Sequence, residues 1–179
     1  MRDAEDLWVF GYGSLMWRPG FEFEEQAPAR VRGYHRSLCV FSHVHRGTPE
    51  KPGLVLGLDR GGTCRGVAFR VAARRRAQTL SYLREREQVT SVYREVWLAA
   101  NLADDRRVQG VAYVVDRAHP QYAGRLPLAD VLPLIAQGRG ISGPNVDYVR
   151  ATHEHLLGEG ILDPTLSFVL QNLPLAQVR

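Results

Sequence analysis

Apolar residues in the first two thirds of the chain fall in short runs, some of which alternate with polar residues with a period of two. In one such run Val67, Phe69 and Val71 fall on one face, while Ala68 and Arg70 fall on the other, as expected for a half-buried strand. Six segments are predicted strands on this basis: residues 7–10, 30–41, 54–58, 64–71, 92–100 and 107–115. Residues 59–62, with the sequence Asp-Arg-Gly-Gly, carry a turn signal between the third and fourth of these segments.

The remaining apolar residues recur with helical spacing. Residues 72–88 place Ala73, Ala77, Leu80 and Leu83 on one stripe. Further helices are predicted over residues 127–137, over residues 145–157 with Asn145 as the cap, and after Asp163. Strands followed by helices predict an α+β fold. We expect a small, mostly antiparallel β-barrel or curved sheet flanked by helices.

Composition favours one globular domain over residues 1–179. The hydrophobic content is 45% and the charged content 23%, which are ordinary for a soluble protein, and no apolar run reaches the length of a membrane span. The net charge is +4, with a pI near 9.4, but the densest basic run, residues 74–76, has no interleaved aromatics, so we expect no nucleic-acid partner. The first residues lack the order of a signal peptide, and we expect a cytoplasmic protein.

The Gly-rich loop that follows the first predicted strand, residues 12–15, is the most informative segment. It reads Tyr12-Gly13-Ser14-Leu15. Glycines at a strand end allow a sharp turn and a close approach to a ligand. Backbone N–H groups gathered there can bind an anion or a developing oxyanion. A simple tight turn explains the same residues.

Glu87 is the candidate acid–base group. It lies four residues after Leu83, so its carboxylate is predicted to face the core, whereas Glu85 is predicted to face solvent. Burial disfavours the charged form and raises the pKa, and the C-terminal end of a helix acts in the same direction. Such a group suits proton transfer near neutral pH. A buried ion pair with Arg86 or Arg94 is the structural alternative.

The sequence offers no obvious metal site. The pairs His43-x-His45 and His153-x-His155 have no accompanying carboxylate cluster, so isolated histidines are favoured. Cys39 and Cys64 are the two cysteines of the chain, and they are expected to be reduced core residues.

Five segments in order resemble the ChaC-like γ-glutamylcyclotransferases. They are the 12–15 loop with Trp17, residues 46–53, residues 66–71, Arg86-Glu87 followed by Tyr93, and Gly143-Pro144-Asn145 with Tyr148. The resemblance covers nearly the whole chain and implies a small closed or nearly closed barrel flanked by helices.

The resemblance also implies an activity. The family cyclises a γ-glutamyl group, releasing 5-oxoproline and, from glutathione, Cys-Gly. Glu87 then corresponds to the catalytic glutamate, and the substrate contacts are expected at Tyr12, Gly13, Ser14, Leu15, Tyr93, Asn145 and Tyr148. Because the α-amine of the substrate attacks its own γ-carbonyl, the reaction requires no metal and no cofactor. The expected partner is glutathione or a related γ-glutamyl peptide, with neither nucleic acid nor membrane.

Three alternatives remain open from the sequence. The chain could act on another γ-glutamyl amine, although residues 46–53 favour glutathione. It could be a non-catalytic anion-binding module of the same fold, although a buried Glu87 beside an anion site argues against that. Its pI alone would suggest a nucleic-acid binder, which a steep loss of binding with salt would reveal.

Overall fold

The computed structural model describes residues 5–89 and 91–173, and it is an α+β fold with the predicted order of elements. The main strands are β1 (Leu7–Gly11), β2 (Glu25–Ser42), β3 (Gly53–Val71), β4 (Tyr93–Leu102) and β5 (Arg107–Val115), and two short strands are β6 (Arg139–Gly140) and β7 (Gly143–Pro144). The α-helices are α1 (Arg76–Glu87), α2 (Leu128–Gln137), α3 (Asn145–Gly158) and α4 (Pro164–Asn172).

The five main strands close into a barrel in the order β1-β3-β2-β4-β5. β1 runs antiparallel to β3, with Val9 opposite Phe69, and it runs parallel to β5, with Val9 opposite Val111. All three of these side chains are fully buried. The pairs β2–β4 and β4–β5 are antiparallel. The prediction of a mostly antiparallel barrel is therefore confirmed, with β1–β5 as its parallel pairing.

The turn predicted over residues 59–62 is wrong, because β3 is one strand that runs through this segment. Gly61 and Gly62 do take positive φ angles, of 100° and 72°. Glycine adopts such angles at little steric cost, and they occur at irregular points within strands as well as in turns. The glycine signal was thus correct about the local backbone and misleading about chain reversal.

Helix α1 faces the core with a different stripe from the one predicted. Leu83 is fully buried as expected, but Ala77 is exposed and Arg76 is buried. The guanidinium of Arg76 lies 5.1 Å from the ring centroid of Trp97. The aliphatic part of an arginine side chain can cover apolar surface while its guanidinium stacks on an aromatic ring. A pattern based on apolar residues alone does not predict such a buried arginine.

The chain divides into two compact units. The first contains residues up to 36 together with residues 58–116, and it holds β1, α1, β4 and β5. The second contains residues 37–57 and those from 117 onward, with α2, α3 and α4. None of the helices described in residues 5–89 and 91–173 is both long and apolar enough to cross a membrane.

Helix boundaries in the second unit follow the predictions with one exception. α2 forms despite Pro133, and the side chain of Asp163 caps α4 by accepting hydrogen bonds from the N–H groups of Thr165 and Leu166. The prediction that Asn145 caps α3 is wrong, because Pro144 occupies that position and the Asn145 side chain is bonded elsewhere.

Candidate active site

The 12–15 loop begins directly at the end of β1. Its residues lead into a short 3-10 turn, Ser14–Met16, in which the N–H of Met16 donates to the carbonyl of Gly13 at 2.9 Å. The amides of Ser14 and Leu15 precede that first bond within the turn, and leading amides of a helical turn are available to a ligand. The binding of an anion by this loop stays a prediction.

Most of the loop is buried, and its position is fixed from β2. Tyr12 and Leu15 are buried, Gly13 is buried, and Ser14 is half-buried. Arg36 on β2 donates from Nε to the carbonyl of Tyr12 at 2.6 Å. A charge-assisted bond of this kind is stronger than a neutral one, so it holds the start of the loop against the barrel.

Glu87 is the last residue of α1, and its side chain is 17% exposed. Burial raises the pKa of this carboxyl, and the nearby Arg86 guanidinium, with Nε 3.3 Å from Glu87 Oε1, opposes part of that rise. Glu85, two residues earlier, is exposed and accepts a hydrogen bond from the Ser81 hydroxyl. The predicted difference between these two glutamates is therefore confirmed, and the ion pair with Arg86 is present as well.

Arg86 links the helix end to the 12–15 loop. Its Nη2 donates to Ser14 Oγ at 3.0 Å, and its Nη1 donates to the carbonyls of Arg18 and Pro19. Arg86 therefore contacts both the candidate base, Glu87, and the candidate binding loop. A carboxyl with a raised pKa can exchange protons near neutral pH, and the leading amides of a helical turn can stabilise developing negative charge.

A second acidic side chain, Glu95, is hydrogen-bonded by residues of α1 and β5. Glu95 on β4 accepts two hydrogen bonds from Arg84, at 2.7 and 2.9 Å, and a third from the hydroxyl of Tyr113 on β5 at 3.1 Å. The Arg84 bonds hold the pKa of Glu95 below its usual value. Burial, with smaller contributions from Glu95 and Glu87, raises the pKa of Tyr113. The ionised Glu95 is thus hydrogen-bonded to the neutral Tyr113, and Tyr113 lies within electrostatic reach of Glu87.

The remaining predicted substrate contacts lie on β4 and α3. Tyr93 begins β4, half-buried and opposite Val115. Asn145 and Tyr148 lie on α3 in the second unit. Their substrate roles remain predictions.

Asn145 already has structural partners. Its side chain is fully buried, it accepts a hydrogen bond from the N–H of Leu54 at 2.6 Å, and it donates to the carbonyl of the same residue at 2.9 Å. The hydroxyl of Tyr148 accepts from the N–H of Leu56 at 3.1 Å. Both side chains therefore hydrogen-bond to the backbone of β3.

Within residues 5–89 and 91–173, no group of three or more His, Cys, Asp or Glu side chains could hold a metal ion. His45 instead lies 2.9 Å, through Nδ1, from the hydroxyl of Ser142. Independence from metal and cofactor stays a prediction.

Sequence reasoning did not single out Arg36, which contacts the 12–15 loop, or Glu95 and Tyr113, which pair on the strands next to Glu87. Arg36 meets the loop across 24 positions of sequence, and Tyr113 meets Glu95 across 18. Such contacts depend on strand register, which a single sequence does not specify. The predicted hairpin of β4 and β5 could have indicated the contact between Glu95 and Tyr113, because the two residues lie directly opposite each other in it.

Solved structures define the class of the fold. A yeast γ-glutamyl cyclotransferase specific to glutathione superposes with a TM-score of 0.84, covering 93% of this chain and 94% of that one at 21% sequence identity. The barrel with its flanking helices is thus a γ-glutamylcyclotransferase fold.

Sequence comparison identifies the family. The model of the ChaC-like protein family matches residues 7–173. The Escherichia coli protein named glutathione-specific gamma-glutamylcyclotransferase is 36% identical over 168 residues, covering 94% of this chain and 73% of the relative. The human glutathione-specific gamma-glutamylcyclotransferase 1 is 37% identical over 151 residues, covering 82% of this chain and 68% of the relative. This chain belongs to the ChaC-like family.

Proposed function

We propose that this chain is a glutathione-specific γ-glutamylcyclotransferase with Glu87 as its general acid and base. The observation that carries the proposal is the placement of a buried carboxyl, with a raised pKa, one side chain away from the 12–15 loop. Relatives at 36% and 37% identity carry the same activity in their names, which supports the choice of substrate.

The reaction joins two ends of one γ-glutamyl group. Glu87 takes a proton from the α-ammonium, and the freed amine attacks the γ-carbonyl carbon. The carbonyl oxygen gains negative charge in the tetrahedral intermediate, where the amides of Ser14 and Leu15 can donate to it. The C–N bond to cysteine then breaks while Glu87 returns its proton to the leaving amine. The freed carboxylate takes a second proton from the ring nitrogen, which keeps one N–H as the lactam, and this proton passes to the Cys-Gly amine, which leaves as an ammonium. The products are 5-oxoproline and Cys-Gly, and no water is consumed.

The raised pKa of Glu87 suits both of its roles, which are to remove a proton from the substrate amine and to return it to the leaving amine. A carboxyl with a pKa closer to neutrality is a better base than an ordinary glutamate and returns the proton readily, because proton transfer is most efficient when the pKa lies near the working pH. Besides proton transfer, the reaction needs the substrate to be bound in a bent conformation, and this is the role proposed for the 12–15 loop. Intramolecular reactions between well-oriented groups can gain about 7–11 kcal/mol of the barrier.

We also propose a cytoplasmic location. Cys39 and Cys64 are both free and buried, as suits a compartment that keeps thiols reduced. Fractionation of the source cells followed by immunodetection tests this point.

A substrate panel tests the function. The purified protein is incubated with glutathione or with γ-glutamylalanine, and 5-oxoproline is measured by mass spectrometry. We expect rapid release of 5-oxoproline and Cys-Gly from glutathione and little from γ-glutamylalanine. Equal turnover of both compounds would support a general γ-glutamyl amine cyclotransferase instead. Binding of glutathione without any product would favour the non-catalytic module.

A further inference from the structure

Arg86 directs every nitrogen of its guanidinium at a named partner. Nε lies 3.3 Å from Glu87 Oε1, and Nη2 donates to Ser14 Oγ at 3.0 Å. Nη1 donates to the carbonyl of Arg18 at 2.5 Å and to the hydroxyl of Tyr82 at 3.0 Å. The side chain is 20% exposed, and its bonds to Ser14, Pro19 and Tyr82 are part-buried, whereas the bond to the Arg18 carbonyl is exposed.

We propose that Arg86 is a positioning residue that holds the 12–15 loop and the Glu87 carboxylate in one fixed geometry. This inference rests on the proposed function, since it assigns the two groups that Arg86 connects to the binding and proton-transfer parts of one site. The same guanidinium touches the hydroxyl of Ser14 on one side and the carboxylate on the other. A displacement of either group by about 1 Å can lower turnover by two orders of magnitude.

The geometry requires arginine rather than another cation. A guanidinium presents five donors in a planar fork, whereas an ammonium is a compact point charge. Lysine at this position would keep the positive charge beside Glu87 but could not reach Ser14 and the carbonyls of Arg18 and Pro19 together. Lysine and glutamine variants therefore separate charge from geometry.

The charge of Arg86 has its own measurable consequence. It opposes the rise in the pKa of Glu87 that burial causes. The ionisable groups recorded near this pair are Tyr113 on β5, which is electrostatically coupled to Glu87, and Tyr82, whose hydroxyl contacts Arg86. Glu95 and Arg84 are paired with each other next to Tyr113. Loss of the Arg86 charge removes the nearest cation, so the pKa of Glu87 should rise further and the acid limb of turnover should move to higher pH.

The test compares Arg86→Gln, Arg86→Lys and the control Arg74→Gln. Arg74 is a matched control because it also forms an ion pair, with Glu24 at 3.0 Å, but its side chain is 70% exposed. Three quantities are measured on each variant: kcat and KM for glutathione as a function of pH, hydrogen exchange of the peptide covering residues 12–19, and the ¹³C NMR titration of the Glu87 carboxyl, assigned by its loss in Glu87→Gln.

Arg86→Gln should lower kcat by about 100-fold, speed exchange in residues 12–19, and move both the acid limb and the Glu87 titration to higher pH. In Arg86→Lys the Glu87 titration and the acid limb of the pH profile should match those of the wild type. Its kcat should stay reduced, and hydrogen exchange in residues 12–19 should stay fast. Arg74→Gln should match the wild type in all three. If Arg86→Gln does not fold, Arg86→Lys, which keeps the positive charge, still tests whether the geometry of the guanidinium is required.

The inference is overturned if Arg86→Lys shows wild-type kcat and wild-type exchange in residues 12–19. It is also overturned if Arg86→Gln loses activity while the exchange and the Glu87 titration stay unchanged. Failure of the proposed function has a different signature, in which the wild type releases no 5-oxoproline from glutathione, yet exchange and the Glu87 titration still respond to substitution at Arg86.

Discussion

Replacing Glu87 with glutamine should lower turnover by about two orders of magnitude or more and at the same time stabilise the protein. The substitution keeps the size of the side chain and removes a carboxyl that is 17% exposed and has its pKa raised mainly by burial. Loss of the proton-transfer group alone should lower kcat by about 10²–10⁴. A stabilised but inactive variant is typical of a group placed for chemistry at the expense of the fold.

The sign of the stability change follows from proton binding. The folded state holds the Glu87 proton more tightly than the unfolded chain, whose glutamate has a pKa near 4.5. Raising the pH therefore favours the unfolded state through this group. Each whole pKa unit of difference corresponds to about 1.4 kcal/mol, and about 1 kcal/mol moves Tm by roughly 2–4 °C at this size. The stabilisation should be absent below pH 4.5 and should grow as the pH rises through the folded-state pKa of Glu87.

The assay is a set of thermal melts of wild type, Glu87→Gln and Glu85→Gln from pH 4 to pH 9, with turnover of glutathione measured on the same preparations. Glu85→Gln is the matched control, because that side chain is exposed on the same helix. It should leave turnover and the pH profile of Tm unchanged. The reasoning is refuted if Glu87→Gln keeps activity near the wild type, or if its Tm is lower than that of the wild type at pH 8.

Three further predictions concern the loop, the buried amide and metals. Gly13→Val should lose about two orders of magnitude in kcat per folded molecule, because a side chain there would intrude where the substrate is expected to approach; Ser14→Ala should be milder, and a fully active Gly13→Val would contradict the binding role. Asn145→Leu should cost about 1–3 kcal/mol in the free energy of unfolding, measured by urea denaturation, because the N–H and carbonyl of Leu54 lose their buried partners; an unchanged midpoint would refute this. Prolonged treatment with a strong chelator should leave turnover unchanged, whereas a large loss reversed by zinc would reopen the His43-x-His45 and His153-x-His155 pairs.

Local periodicity was sufficient to predict most elements of the fold. β5 begins and ends where the alternation predicts, at Arg107 and Val115. The spacing from Leu83 also placed Glu87 correctly on the inward side of α1. Both inferences depend on interactions between near neighbours in sequence, which a pattern of apolar residues records directly.

The errors came from polar groups with distant partners. Asn145 has the chemistry of a helix cap, yet its amide pairs with the backbone of Leu54, 91 positions away. Arg76 is charged, yet it is buried over Trp97 while the apolar Ala77 faces solvent. In each case a tertiary contact outweighed the local preference, and no local pattern specifies which strand lies opposite.

The central claim is that the substrate's own amine, rather than water, attacks the γ-carbonyl under the control of Glu87. Running the reaction with glutathione in H₂¹⁸O and analysing the products by mass spectrometry tests this most directly. Cyclisation predicts unlabelled 5-oxoproline and Cys-Gly in equal amounts, with both lost in Glu87→Gln. Release of glutamate carrying ¹⁸O, or equal product formation by Glu87→Gln, would contradict the account.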